Sequence, residues 1–139
     1  MRAAFTLTEL CAALALAGLV LAISVPRFTG LRDRLAVRSA STELVAAFGV
    51  AREEALARGR RVAITLADTA AVVAVHDGPD TLHVRPLGAL HGVTLESSRD
   101  SSAFAPNGLG FGAANLRVIV ARGAAADTVR VSRLGRATR

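Results

Sequence analysis

FTLTELCAALALAGLVLAISV, residues 5–25, is the longest apolar run in the chain, and Glu9 is its one charge. Twenty-one residues at about 1.5 Å each make a helix of about 30 Å, the thickness of a hydrocarbon core. The run therefore predicts a transmembrane helix, and Pro26 directly behind it predicts a bend. Glu9 needs a reason in such a setting. Held at mid-membrane it costs up to about 2.5–3.5 kcal/mol, and less near an end.

Three readings of the run compete. A cleaved secretory signal has a 7–15-residue apolar stretch and a small-x-small cleavage site. This run is longer, and LAISVPRF (21–28) offers no such site. A plain signal anchor accounts for the length and leaves Glu9 unexplained. The third reading makes Glu9 the point of the segment: a carboxylate in the first turn suits the positive end of the helix dipole.

The 139 residues suffice for one modest domain, with about 110 left beyond the apolar run. Every basic residue is Arg, and the net charge of +6 permits contact with nucleic acid, an anionic lipid surface or an acidic protein without selecting one. The single cysteine, Cys11, excludes an internal disulfide framework. It lies inside the apolar run as a small hydrophobe. Arg2 precedes the run, whereas Arg27, Arg32, Arg34 and Arg38 follow it. By charge alone that asymmetry would place the C-terminal flank on the cytoplasmic side.

From Leu31 to about Arg58 the periodicity predicts a helix. Val37, Leu44, Phe48, Ala51 and Ala55 recur at helical spacing as one stripe, and Gly59 supplies a stop. One long helix, bent near Pro26, is thus expected from Phe5 to about Ala57. Beyond it, RVAITL (61–66), AVVAVH (71–76), TLHVRP (81–86), GVTLES (92–97), LRVIVA (116–121) and TVRVSR (128–133) read as strands. DGPD (77–80), PNG (106–108) and RGAAAD (122–127) read as turns. The spacing predicts antiparallel pairing. The fold class expected is α+β: a long bent helix packed on a small antiparallel β-sandwich or roll.

No constellation carries catalysis. His76, Asp77, Asp80 and His83 straddle a predicted hairpin whose Asp and Gly serve turn chemistry rather than a metal. GLGFG (108–112) lacks the third glycine of a dinucleotide loop, with Ala113 in its place. Ser97, Ser98, Ser101 and Ser102 lie near His91 in sequence, with no readable acid or oxyanion arrangement. Neither an enzyme, nor a metal, nor a cofactor is expected.

FTLTEL at the head of an apolar helix resembles the processing site of type IV pilins and type II secretion pseudopilins. The resemblance implies cleavage by a prepilin peptidase between Ala4 and Phe5, with methylation of the new Phe5 amine. Glu9 is then the fifth residue, where the family carries its Glu, and Pro26 falls where the family bends its helix. It implies that Glu9 of one subunit meets the Phe5 amine of its neighbour in a filament. A buried pair of that kind fixes register more reliably than it adds stability.

FAPNG (104–108), an apolar strand and VRVSRLGRAT (129–138) resemble the C-terminal pattern of the GspH/FimT group, the H-type minor pseudopilins and related minor type IV pilins. The implied organisation is a leader at 1–4, a transmembrane helix at 5–25, an amphipathic continuation at 26–58 and a periplasmic β-rich domain at 59–139. The implied location is the inner membrane, and the implied partners are other pseudopilins or pilins, the peptidase and membrane lipid. Some DNA-uptake minor pilins of the group end in a Gly-Arg-x-Arg element. This chain has Gly135-Arg136-Ala137-Thr138-Arg139, so Arg130, Arg133, Arg136 and Arg139 are candidate DNA contacts. The competing reading is a solvated strand edge protected by charge. A type II secretion pseudopilin is the leading expectation, a DNA-capturing minor pilin the alternative, and a signal-anchored binding domain outside any filament the third.

Overall fold

The computed structural model describes residues 6–111 and 115–139. Ala4 and Phe5, the expected cleavage pair, lie outside the described residues. One helix, α1, runs Leu7–Arg58. It starts at a Thr-x-x-Glu box and stops where Gly59 takes φ +60, a conformation that favours glycine. Its helical backbone continues through residues 24–27. The chain divides into two compact units, Met1–Arg32 and Asp33–Arg139.

In the first unit the large apolar side chains among the described residues of the helix are exposed. Leu7 is 79% exposed, and Leu10, Leu14, Leu16, Leu19, Val20, Leu21 and Ile23 are all more than half exposed. The most apolar 18-residue window of α1 has a mean hydropathy of 2.1 and none of it is buried. Water is a poor solvent for such a surface. At about 25 cal/mol per Å² it favours lipid or another apolar face.

In the second unit the helix becomes one side of a core. Val37, Ala40, Leu44, Ala47, Phe48, Ala51 and Ala55 are buried at steps of one, three or four residues, which lays them along one face. All five positions of the expected stripe are among them. They share one cluster with residues of two antiparallel sheets. The first sheet has the order β3-β2-β1-β5-β6 and the second β4-β7-β8-β9. The strands are β1 Val62–Ala67, β2 Val72–Asp77, β3 Asp80–Pro86, β4 Thr94–Ser97, β5 Ser101–Phe104, β6 Gly110–Phe111, β7 Leu116–Arg122, β8 Ala125–Val131 and β9 Ala137–Thr138. Strict alternation buries Val62, Ile64 and Leu66 of β1, and Leu116, Val118 and Val120 of β7.

All six expected strands form. The expected turn RGAAAD does not extend as far as its composition suggested. Arg122 already pairs with Ala125, leaving Gly123 (φ +55) and Ala124 as a two-residue turn. Ala125 to Asp127 are strand because β7 supplies partners for their backbone. The short helix α2, Leu87–His91, was not anticipated, nor were β5, β6 and β9. Leu87 is fully buried and holds α2 to the core, while the ladder of β1 recruits the serine-rich β5.

Candidate functional site

At the N-terminus of α1 the carboxylate that opened the question is held locally. The Glu9 backbone N–H donates to Thr6 Oγ1 at 3.3 Å, and Glu9 Oε2 accepts from the Thr6 backbone N–H at 3.4 Å and from its hydroxyl at 3.3 Å. This is a reciprocal capping box: a side chain satisfies an orphan amide at each end. Sequence reasoning credited Glu9 with the dipole and missed the box, although Thr6-x-x-Glu9 spells it. The geometry keeps the carboxylate at the helix terminus.

The two C-terminal motifs, distant in sequence, meet in space. Gly110 N–H donates to the Arg133 carbonyl at 3.0 Å, Gly135 N–H to the Ser132 carbonyl at 3.0 Å, and Arg52 Nε to the Gly108 carbonyl at 3.0 Å. Gly135 is buried with φ +73, and a Cβ there would press on the Gly108 carbonyl and on the fully buried Phe104 ring, 3.2 Å away. FAPNG and SRLGR are thus two sides of one junction between the sheets, where a side chain at Gly135 has no room.

The arginines separate into held and free. Arg122 Nε pairs with Asp33 Oδ1 at 3.0 Å, and Arg122 also donates to the His91 carbonyl. Arg139 Nε pairs with Asp127 Oδ2 at 2.9 Å. Among the described residues, the guanidiniums of Arg117, Arg130, Arg133 and Arg136 have no ion-pair partner. Arg117 lies directly opposite Arg130 in the β7–β8 ladder, and both are exposed. Like charges facing across strands repel, so this pair is one that an anion would stabilise. Of the four expected DNA contacts, Arg130, Arg133 and Arg136 carry free guanidiniums and Arg139 is engaged.

The other constellations are structural. Asp77 is buried and accepts from Arg60 Nη2 at 2.6 Å and Arg58 Nη1 at 3.3 Å, tying the end of α1 to the β2–β3 hairpin. His76 sits between Thr65 and Thr81 hydroxyls, at 3.0 and 3.2 Å. The Arg58 hydrogen bond to Glu54, 2.7 Å, holds the Glu54 carboxyl below its usual range against an opposing desolvation cost, and Glu54 in turn raises Arg58. His91 bonds Glu43 at 2.9 Å, and Ser97 is bound to Asp68, its hydroxyl donating at 2.9 Å. Among the described residues no group of three or more His, Cys, Asp or Glu is arranged to hold a metal.

The fold is similar to that of the type IV minor pilin FimU of Pseudomonas aeruginosa in two crystal forms. One aligns with TM-score 0.63 at 18% identity, covering 73% of this chain and 86% of that one. The other aligns with TM-score 0.61 at 18% identity, covering 73% and 90%. No curated protein sequence matches significantly. The family described as Type II transport protein GspH matches residues 40–135, which take in most of the buried face of α1, strands β1 to β8 and the Gly108–Gly135 junction; the chain belongs to that family.

Proposed function

We propose that the chain is a minor pseudopilin of a type II secretion system, a structural subunit and not an enzyme, that takes part in protein export. The observation that carries this reading is an apolar half-helix whose described residues are left exposed, on a protein of the GspH family. Residues 5–25 anchor it in the inner membrane with the β-rich domain in the periplasm, and α1 bends at Pro26. A prepilin peptidase cuts between Ala4 and Phe5 and methylates Phe5. The exposed leucines then leave lipid for the helices of neighbouring pseudopilins, and Glu9 pairs with the adjacent Phe5 amine to set the stagger. The capping box favours this role, because it holds the carboxylate at the helix end where that amine arrives.

The test separates cap from charge. Glu9→Gln keeps a residue able to close the box and deletes the charge. Membrane insertion is expected to persist while incorporation into filaments is lost. Normal incorporation of Glu9→Gln would refute the ion-pair role, and a mature chain still beginning at Met1 would refute processing.

A second reading, a type IV minor pilin that captures DNA, is favoured by the repelling Arg117–Arg130 pair beside the free Arg133 and Arg136. Phosphates would relieve that repulsion without reading sequence. It predicts binding that weakens steeply with salt and is lost on Arg117→Gln/Arg130→Gln.

A further inference from the structure

Two of the arginines that follow the apolar run, Arg34 and Arg38, line a cleft that the pseudopilin reading leaves unused. Arg34 and Arg38, one helical turn apart on α1, line a space of about 390 Å³ together with Arg139. Asp127 is the acidic residue lining it, and its carboxylate holds Arg139 at 2.9 Å. Arg139 Nη1 also reaches Thr42 Oγ1 at 3.4 Å, so the strand end is fastened to the helix. Arg34 and Arg38 are exposed and have no ion-pair partner among the described residues. Ala124, Ala125 and Ala126 form another wall, with side chains too short to fill the space. Three guanidiniums against one carboxylate leave the cleft cationic.

We infer that this cleft takes the phosphate headgroup of an anionic phospholipid. The inference rests on the membrane-anchored reading of α1. Arg34 is nine residues beyond Val25, a helical contour of at most about 14 Å. The headgroup zone extends about 5–8 Å beyond the hydrocarbon, the Arg34 side chain spans the remainder, and helix tilt brings Arg38, one turn further on, toward the same zone. A guanidinium donates paired N–H groups to phosphate oxygens, and Arg34 and Arg38 present two guanidiniums on one helix face. A free phosphate offers the same chemistry, but only the lipid source is delivered by the chain's own anchor. The cleft also gives the flanking arginines an employment on the outer side of the membrane, where charge counting alone would not put them.

The test uses the full chain in neutral detergent, titrated with phosphatidylglycerol or phosphatidylcholine and read as lipid adducts by native mass spectrometry. Phosphatidylglycerol is expected to be retained in preference to phosphatidylcholine. Arg34→Gln/Arg38→Gln should weaken it about thirtyfold, the sum expected for two arginines at an anionic surface. Arg34→Gln alone should weaken it about fivefold, which keeps the test open if the double variant misfolds by circular dichroism. Arg130→Gln/Arg133→Gln, of equal charge loss, should leave it unchanged. The inference is overturned by equal retention in the Arg34 variants, by an equal loss in the Arg130 control, or by complete displacement with millimolar inorganic phosphate. Carbonate extraction of membranes reads the anchor separately: a chain released by carbonate brings down the anchored reading, and a chain that stays but shows no preference for phosphatidylglycerol brings down only the cleft.

Discussion

Ser41 is fully buried on the core face of α1, and its hydroxyl has no hydrogen-bond partner among the described residues. Replacing it with Ala should stabilise the protein. An unsatisfied buried hydroxyl costs about 1–3 kcal/mol, and the low end, about 1 kcal/mol, suits a group beside helix carbonyls. Ala gains roughly 0.5 kcal/mol over Ser in a helix interior. Against this stands a void the size of one oxygen, worth about 0.3 kcal/mol at 24 cal/mol per Å³. The net is about +1 kcal/mol, a rise in melting temperature of about 3–5 °C for a domain of this size. The chain has no Trp or Tyr, so the melt is followed by far-ultraviolet circular dichroism of the full chain in mild detergent. Ser41→Val keeps the apolar gain but adds bulk to a closed face, and should cost about 1–3 kcal/mol. A fall of several degrees in Ser41→Ala would refute the reasoning, because it would mean that the hydroxyl is satisfied in the folded protein.

Gly135→Ala should destabilise by about 3 kcal/mol or more, since it places a Cβ both at φ +73 and against the Gly108 carbonyl; a melting temperature within a degree of wild type would contradict the junction. Asp77→Asn should cost about 1–2 kcal/mol by chemical denaturation, because two charge-assisted bonds are lost while Arg58 and Arg60 can turn to solvent. The Glu54 carboxyl is depressed below its usual value of 4.5, so its contribution is complete above that pH and disappears as pH falls through the lowered value. Glu54→Gln should therefore narrow its stability difference from wild type on acidification, and a difference independent of pH between 3 and 7 (roughly the window of a carboxylate) would remove Arg58–Glu54 from the account.

The fold was legible wherever one residue type repeated at one period. Val37, Leu44, Phe48, Ala51 and Ala55 announce a helix face, and the alternation in RVAITL and LRVIVA announces half-buried strands. The strand β5 was not legible because Ser101 and Ser102 carry no strand preference. Its backbone is ordered by the neighbouring β1, whose partner residues lie 36 to 42 positions earlier. The start of β8 was hidden by alanines, which suit helix, strand and turn alike. Of the candidate site, Glu9 stood out in the sequence as the one charge of an apolar run, and Thr6-x-x-Glu9 spells the capping box that holds it. Which arginines are free was not legible. Arg122 and Arg139 read like Arg130 until Asp33 of the helix and Asp127 of the neighbouring strand β8 claim them.

The core that joins α1 to both sheets has a consequence for how the chain is made. Phe48 is finished about 80 residues before Val131, yet both belong to the same buried cluster. At 5–20 residues per second, the helix face stays uncovered for roughly 4–16 s after its own synthesis. Over that interval Leu44 and Phe48 are as bare as Leu14 and Leu19 are in the finished chain, and an apolar surface of either kind attracts the same partners. The nascent chain thus exposes apolar surface on both halves of α1, and only the arrival of its last strands covers the second half.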